Sequence, residues 1–271
     1  MSPDMIFEGI AGFRLVTAEP ARLAVFYREI GFDVAEAAPI SAEEITRLGL
    51  SGAGSRIAML LGPSRVELES FDHPGRPYPV DTTACDLVIQ HLALVTDDAE
   101  AAWRRARDAG ATPISRARPV TLPKSAGGVT AIKFRDPEGH PLELLQFAPG
   151  ANSGWKGTGI MGIDHSAISV SDVVASRRFY ARHGLGEAGA TVNYGPTQDA
   201  LDGLDGAEVD VVPMNPTGKP PHVELLGYRH PVGRALHPLF ANDLAATRIV
   251  WRSNADALIR DPDGHLHQLS R

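Results

Sequence analysis

His91-Leu92-Ala93-Leu94-Val95-Thr96-Asp97 and its echo His165-Ser166-Ala167-Ile168-Ser169-Val170-Ser171-Asp172 decide how this chain reads. Each stretch reads as a strand that begins at a histidine and runs into a helix started by an aspartate. Strand side chains alternate between faces, so His91, Ala93 and Val95 share one face and Leu92 and Leu94 the other. In the echo His165, Ala167 and Ser169 lie together, opposite Ile168 and Val170. Each histidine therefore stands on a face of mainly small residues while the bulkier face packs elsewhere. One such histidine is most simply the accident of where a strand starts; two in the same local context form a pattern.

Working outward, the chain repeats itself. The first unit has a strand over 12–17, then a helix with Leu23, Phe26, Tyr27 and Ile30 on one stripe and Gly31 at its end. Strands over 55–61 and 65–71 follow. Residues 72–90 hold Pro74, Gly75, Pro77 and Pro79 and read as a connection. The second unit carries the His91 strand and a capping-box-like helix start at Asp97 and Glu100. Its helix has an apolar stripe of Ala99, Ala102, Trp103 and Ala106. A strand over 130–135, the turn Asp136-Pro137-Glu138-Gly139-His140 and a strand over 141–147 complete it. The segment 149–160, with Gly150, Gly154, Gly157 and Gly159, reads as a linker.

The third unit repeats the first. It has the His165 strand, a helix with Ser176, Phe179, Tyr180 and His183 on one stripe, and strands over 208–212 and 222–228. The fourth is short. It offers a strand over 243–251, no room for a full helix, a strand over 255–260, the turn Asp261-Pro262-Asp263-Gly264-His265 and a strand over 266–269. Glu67 and Glu224 are 157 positions apart, as are His73-Pro74 and His230-Pro231, and Asp86-Leu87 and Asp243-Leu244. The Asp136 and Asp261 turns are 125 apart because the last unit is shortened. The expected layout is a first domain over 9–148, the linker 149–160 and a second domain over 161–271.

Bulk properties limit the function. The chain has 271 residues, 43% of them hydrophobic and 22% charged, as in ordinary globular proteins. A net charge of -7 argues against nucleic acid or an anionic membrane as the main partner. The single cysteine, Cys85, rules out an internal disulfide and fits a reducing compartment. No signal peptide is read at residues 1–8, and no apolar run approaches the ~20 residues of a membrane span. A cytoplasmic monomer or homodimer acting on a small molecule is the expectation. Neither a Gly-rich phosphate loop, a cysteine cluster nor a Gly-x-Ser-x-Gly element is present.

The segments His165…Asp172…Phe179-Tyr180…Gly184-Leu185-Gly186 and Phe134-Arg135-Asp136-Pro137-Glu138-Gly139-His140-Pro141-Leu142-Glu143-Leu144 resemble the vicinal oxygen chelate superfamily. This is the glyoxalase, bleomycin-resistance and extradiol-dioxygenase superfamily, and the first unit repeats the pattern in Phe26-Tyr27…Gly31-Phe32. The resemblance implies an α+β fold of tandem βαβββ modules paired into two half-open barrels, here with the fourth module truncated. Each module of that family can offer a metal one ligand from its first strand, usually histidine, and one from its last, usually glutamate.

Transferred to this chain, module one has Gly12 and Glu67, module two His91 and Glu143, module three His165 and Glu224, and module four Arg248 and Gln268. Pairing in chain order would leave neither cup with a convincing ligand set. Pairing modules two and three gathers His91, Glu143, His165 and Glu224, two imidazoles and two carboxylates suited to Zn, Ni, Mn, Co or Fe. The residues themselves agree: Glu143 lies between two leucines and Glu224 between Val223 and Leu225, so each faces away from its apolar neighbours. The alternative for both glutamates is a water-facing position on a one-sided sheet. The resemblance then implies a metal-dependent isomerase, lyase or epimerase that works through a metal-bound enediolate or enolate, with Glu143 or Glu224 as base. The other readings are an Fe(II) ring-cleaving dioxygenase and a metal-free small-molecule binder of the bleomycin-resistance type.

Asn193, Tyr194 and Gln198, read as a polar loop, and Trp155 in the linker are weaker candidates for contacting substrate. Phe26, Tyr27, Phe179 and Tyr180 read as core, His140 and His265 as surface, and His267 as facing away from Gln268. Arg248 reads as a plug in the metal-free cup.

Overall fold

A computed structural model describes residues 5–116, 118–151, 154–217, 220–235 and 238–271. Module one comprises β1 (Gly9–Val16), α1 (Pro20–Glu29), β2 (Asp33–Pro39), α2 (Ala42–Arg47), β3 (Gly54–Leu61) and β4 (Ser64–Phe71). Module two comprises β5 (Gln90–Thr96), α3 (Ala99–Asp108), β6 (Thr112–Pro113), β7 (Val120–Thr121), β8 (Thr130–Arg135) and β9 (Pro141–Gln146), with a single 3-10 turn at Lys124–Ala126. Module three comprises β10 (Ile160–Ser169), α4 (Val173–Arg182), β11 (Gly186–Glu187), β12 (Thr191–Tyr194), α5 (Pro196–Asp202), β13 (Glu208–Asn215) and β14 (His222–His230). Among the described residues, module four comprises β15 (Arg248–Arg252), β16 (Ala257–Arg260) and β17 (Leu266–Ser270).

Two sheets result, and each takes one module from each half of the chain. One runs β16-β17-β15-β1-β4-β3-β2 and joins modules one and four. The other runs β11-β13-β14-β10-β5-β9-β8-β6 and joins modules two and three, with β12 on β13 and β7 on β8. The seams are the antiparallel pairs β1–β15 and β5–β10.

Inside every module the first and last strands pair in parallel with the same register. Glu143 lies opposite Ala93, Glu224 opposite Ala167, Glu67 opposite Arg14 and Gln268 opposite Val250. Two residues before those partners stand His91, His165, Gly12 and Arg248. The hydrogen-bond ladder therefore places the four first-strand positions as the repeat spacing expects.

Most of the core is one cluster reaching across both sheets, with Leu23, Phe26 and Tyr27 of α1, Ala102, Trp103 and Ala106 of α3, and Tyr180 of α4. The two sheets are also tied by polar bonds. The Tyr27 hydroxyl donates to Asp136 Oδ2 at 3.0 Å, and the Tyr180 hydroxyl to Asp261 Oδ2 at 3.2 Å. His140 and His265 are buried in these same turns, which corrects their placement on the surface. His140 Nδ1 donates to Asp136 Oδ2 at 2.8 Å and Nε2 to the Val16 carbonyl at 2.8 Å. Burial opposes a charge on that ring, but Asp136 outweighs it and the pKa rises. These histidines are drawn inward because buried carboxylate and carbonyl oxygens need donors.

Other boundaries shift for local reasons. Asp98, not Asp97, caps α3, accepting from the Ala101 amide at 2.9 Å. Asp97 instead accepts the Gly159 amide at the end of the linker. Strand β15 begins at Arg248, because residues 243–247 turn toward the 72–90 connection, where Asp243 binds Arg76. Asn193 to Gln198 is not a loop: β12 ends at Tyr194, and Pro196, with its fixed φ, opens α5.

Among the described residues module four has no helix, and its sheet face is covered by other groups. Phe7 stacks on Trp251 at 4.4 Å and on His183 at 4.5 Å between ring centres. Trp251 Nε1 donates to His267 Nδ1 at 3.0 Å, and His267 Nε2 donates to the Tyr180 hydroxyl at 3.0 Å. Burial, with His265 and His183 nearby, lowers the His267 pKa to about 3, so this ring is a neutral structural link.

Candidate metal centre

Strands β5 and β10 lie side by side at the middle of the ten-stranded sheet. Their register sets His91 against Ala167 and His165 against Ala93, so the imidazoles are diagonal neighbours over alanines, 5.9 Å between ring centres. The last strands flank them, β9 beside β5 and β14 beside β10. All four sequence-derived ligands therefore converge. His91 Nε2 is 2.9 Å from Glu143 Oε2, and His165 Nε2 is 3.8 Å from the same oxygen. Glu224 Oε2 lies 3.5 Å from His165 Nε2.

These spacings suit a metal. Donors at right angles about 2.1 Å from an ion are about 3 Å apart, and opposed donors about 4.2 Å. His91, Glu143 and His165 each offer an atom within 4.8 Å of the others, and all three are buried. Glu224 stands just outside that trio, its side chain 20% exposed. Two neutral imidazoles and two carboxylates would make a divalent ion formally neutral, as a buried site favours.

Asp164 adds a feature hidden in the alternation. The ladder between β10 and β5 shifts register between Ile163 and His165, so Asp164 sits in a bulge and turns to the histidine side. It accepts from His165 Nδ1 at 3.1 Å and from Trp155 Nε1 at 3.3 Å. A carboxylate on Nδ1 fixes the tautomer that leaves Nε2 free for a metal. Trp155 thus braces Asp164 and does not line the cavity described below.

His222, opposite His165 on β14, brings a third imidazole, its Nε2 3.6 Å from Glu224 Oε1. The signal for it was in the sequence, since His222 and Glu224 are two apart on a strand and must share a face.

Electrostatics bind the cluster. Burial pushes the Glu143 carboxyl up, but His165 and His91 outweigh it and hold it well below the usual range. Burial works against a charged His165, and Glu224, Asp164 and Glu143 together outweigh that too, so its pKa rises well above normal. His91 is shifted down, burial exceeding the pull of Glu143. Without a cation the surplus negative charge holds a proton on His165; a metal ion would take that proton's place.

The cluster forms one end of a cavity of about 420 Å³ whose other walls include Leu122, Val129, Leu145, Phe147, Leu201, Val211 and Leu226. Asn193 and Gln198 line it. Tyr194 does not: it is exposed and borders a separate surface hollow with Arg229. Lys133 and Tyr228 also line the cavity and were not singled out from sequence, because neither sits in a repeated motif.

The cup of modules one and four is closed by ion pairs. Glu67 meets Arg14 at 2.9 Å, Arg65 at 2.7 Å and Arg56 at 3.3 Å. Buried Arg248 pairs with buried Glu69 and donates to the Ala241 carbonyl at 2.7 Å. Gln268 Nε2 donates to Glu44 Oε1 at 2.8 Å, and Glu44 also pairs with Arg14 and Arg56. Arg248 is thus one of several arginines that plug this cup.

A family model for the Glyoxalase/Bleomycin resistance protein/Dioxygenase superfamily matches residues 9–144. The chain belongs to that superfamily. Among solved structures, glyoxalase I from Zea mays aligns over 96% of this chain and 91% of its own, with a TM-score of 0.60 and 15% identity. A presumed dioxygenase from Bacillus subtilis aligns over 97% of this chain and 85% of its own, with a TM-score of 0.58 and 14% identity. At these identities the likeness is one of fold. No curated protein sequence matches this one. Among the described residues, no helix is long and apolar enough to cross a membrane.

Proposed function

We propose that this protein is a metal-dependent enzyme that moves a proton on a small oxygenated substrate, in the manner of glyoxalase-type isomerases, lyases and epimerases. The observation that carries the reading is the buried trio of His91, Glu143 and His165, with Glu224 beside it, at the polar end of a largely apolar cavity. His91, Glu143 and His165 would hold the ion, with Glu224 as an exchangeable fourth ligand free to leave it, and Asp164 would orient His165. A divalent ion there supplies Lewis acidity to a substrate carbonyl or hydroxyl oxygen.

The two glutamates are not equivalent. Glu143 faces both histidines and is committed to the ligand cluster. Glu224 is the freer carboxylate; burial raises its pKa, but His165 and His222 lower it further and keep it ionised. It is therefore the general base: it takes a proton from carbon next to a carbonyl, and the electron pair left behind passes to the carbonyl oxygen. The apolar walls exclude water from that exchange.

The test is metal analysis of the purified protein, followed by deuterium wash-in to hydroxyacetone in heavy water. Glu224→Gln is expected to keep at least part of the metal and to slow exchange by about a hundredfold or more. Retained exchange in that variant would remove Glu224 as the base.

A second reading rests on one observation. The tightest trio is two histidines and one carboxylate, the set used by Fe(II) oxygenases. Oxygen uptake with catechols by the Fe(II)-loaded protein, without deuterium exchange, would favour it.

A further inference from the structure

Two polar atoms of the cavity wall, Gln198 Oε1 and the Tyr228 hydroxyl, lack a close hydrogen-bond partner. Gln198 and Tyr228 both line the cavity and are 4% and 9% exposed. Gln198 Nε2 donates to Asp202 Oδ2 at 2.7 Å, which leaves Oε1 with no donor; the Tyr228 hydroxyl lies near the same Asp202 carboxylate but makes no close hydrogen bond. The other oxygen of Asp202 accepts from Lys133 Nζ at 2.6 Å. Lys133 lies on β8 directly across from Glu143 on β9. The cluster therefore adjoins the histidine–glutamate centre within one cross-strand step, about 5 Å between Cβ atoms.

A buried donor or acceptor without a partner costs stability, and folding alone gives no reason to keep it. Phe at 228 would fill the same space with no unpaired hydroxyl, and Met at 198 would remove the unpaired oxygen at the cost of the bond to Asp202. Two unpaired groups on one wall, beside candidate metal ligands, mark a place meant for a ligand. Their chemistry narrows it. Lys133 and Asp202 cancel in charge, and a further anion would meet Asp202, Glu143 and the Gln198 oxygen. What is missing is one donor, for Gln198 Oε1, and one acceptor, for the Tyr228 hydroxyl and the remaining N–H groups of Lys133. A hydroxyl group supplies both.

We infer that Gln198 and Tyr228, braced by the Lys133–Asp202 pair, form a specificity subsite that reads a hydroxyl of the substrate. The substrate class is then a short polyhydroxylated carbonyl compound, with its adjacent oxygens at the His91–Glu143–His165 end; this placement rests on the metal-centre reading above.

The probes are erythrulose and hydroxyacetone, which lacks the further hydroxyls, titrated by calorimetry into the metal-loaded wild type, Gln198→Met, Tyr228→Phe and the double variant, with thermal melts of each. The wild type is expected to bind erythrulose about tenfold more tightly than hydroxyacetone, the gain of one good hydrogen-bonded group (about 1.4 kcal/mol). The double variant is expected to bind both alike, and its Tm is expected to fall by the loss of the Gln198 bond to Asp202 without restoring the ratio. A wild-type ratio near one, or variants that melt several degrees lower with the ratio intact, overturns the subsite. Hydroxyacetone affinity that does not change when EDTA strips the metal counts against the centre alone, since the ratio of the two probes reads the subsite alone. No binding of either probe by the wild type overturns both.

Discussion

The two cups follow one backbone plan and hold opposite contents. Where the cup of modules two and three has His165, Ala167 and His91, that of modules one and four has Gly12, Arg14 and Arg248. Where the first has Glu224, Leu226 and Val211, the second has Glu67, Glu69 and Arg56. Small and apolar residues around two imidazoles leave a cavity of about 420 Å³. Long arginines in the same ladder fill the space and neutralise one another's carboxylates. The difference teaches that this fold tolerates two solutions to a buried charge cluster: leave room for a cation from outside, or supply guanidinium from within.

The comparison breaks most visibly at Arg248. Arg248→Met takes one of its cations from the buried Glu69 carboxylate, which keeps Arg56 on its other oxygen. A loss of about 1–3 kcal/mol in urea denaturation is expected, with metal content unchanged. A loss under about 1 kcal/mol would show that the plug carries no stability.

In the other cup the expected effect is on metal and not on folding. His91→Ala should weaken binding of Zn or Ni beyond the ~10–100-fold typical of losing an outer partner, while Asp164→Asn should fall within that range. Equilibrium dialysis measures both; equal affinities in wild type and His91→Ala would remove His91 from the ligand set.

A third experiment asks whether the plugged cup can be converted. A Cβ on Gly12 would meet the Arg65 carbonyl oxygen at 2.8 Å, closer than packed atoms allow. Gly12→Ala should therefore cost about 1–3 kcal/mol. The triple variant Gly12→His/Arg248→His/Gln268→Glu should bind no more metal per chain than the wild type. Extra metal in that variant would mean that side-chain identity alone, and not strand spacing, closes the cup.

The smallest effect expected is on acid stability. Burial pushes the Glu44 carboxyl up, but Gln268, Arg14 and Arg56 outweigh it and bring its pKa from 4.5 to about 2. A lowered folded-state value means stability that is complete above 4.5 and lost as pH falls toward 2. Between pH 6 and pH 3 the wild type should lose more of its urea midpoint than Glu44→Gln. Parallel losses would take Glu44 out of the plug's charge balance.

Much of this was legible in the chain. The spacing of 157 between Glu67 and Glu224 and the two histidine strands yield four modules and four ligand positions, because strand alternation and strand order are local properties. The pairing of modules two and three followed from where ligands were lost. His222 could have been found by the same alternation that found Glu224. Asp164 could not, since a bulge between Ile163 and His165 cancels the alternation and depends on the neighbouring strand.

By itself, then, the sequence determined the repeat, the strand-borne candidate ligands and the shortened spacing of the fourth module, all written in residue types at fixed spacings. Only the tertiary structure decided which groups meet across strands far apart in the chain. Glu143 between two histidines, Lys133 beside Asp202 some 69 residues away, and Arg248 against Glu69 are contacts of this kind. Their energies depend on burial and distance, and neither is set until the two sheets have closed.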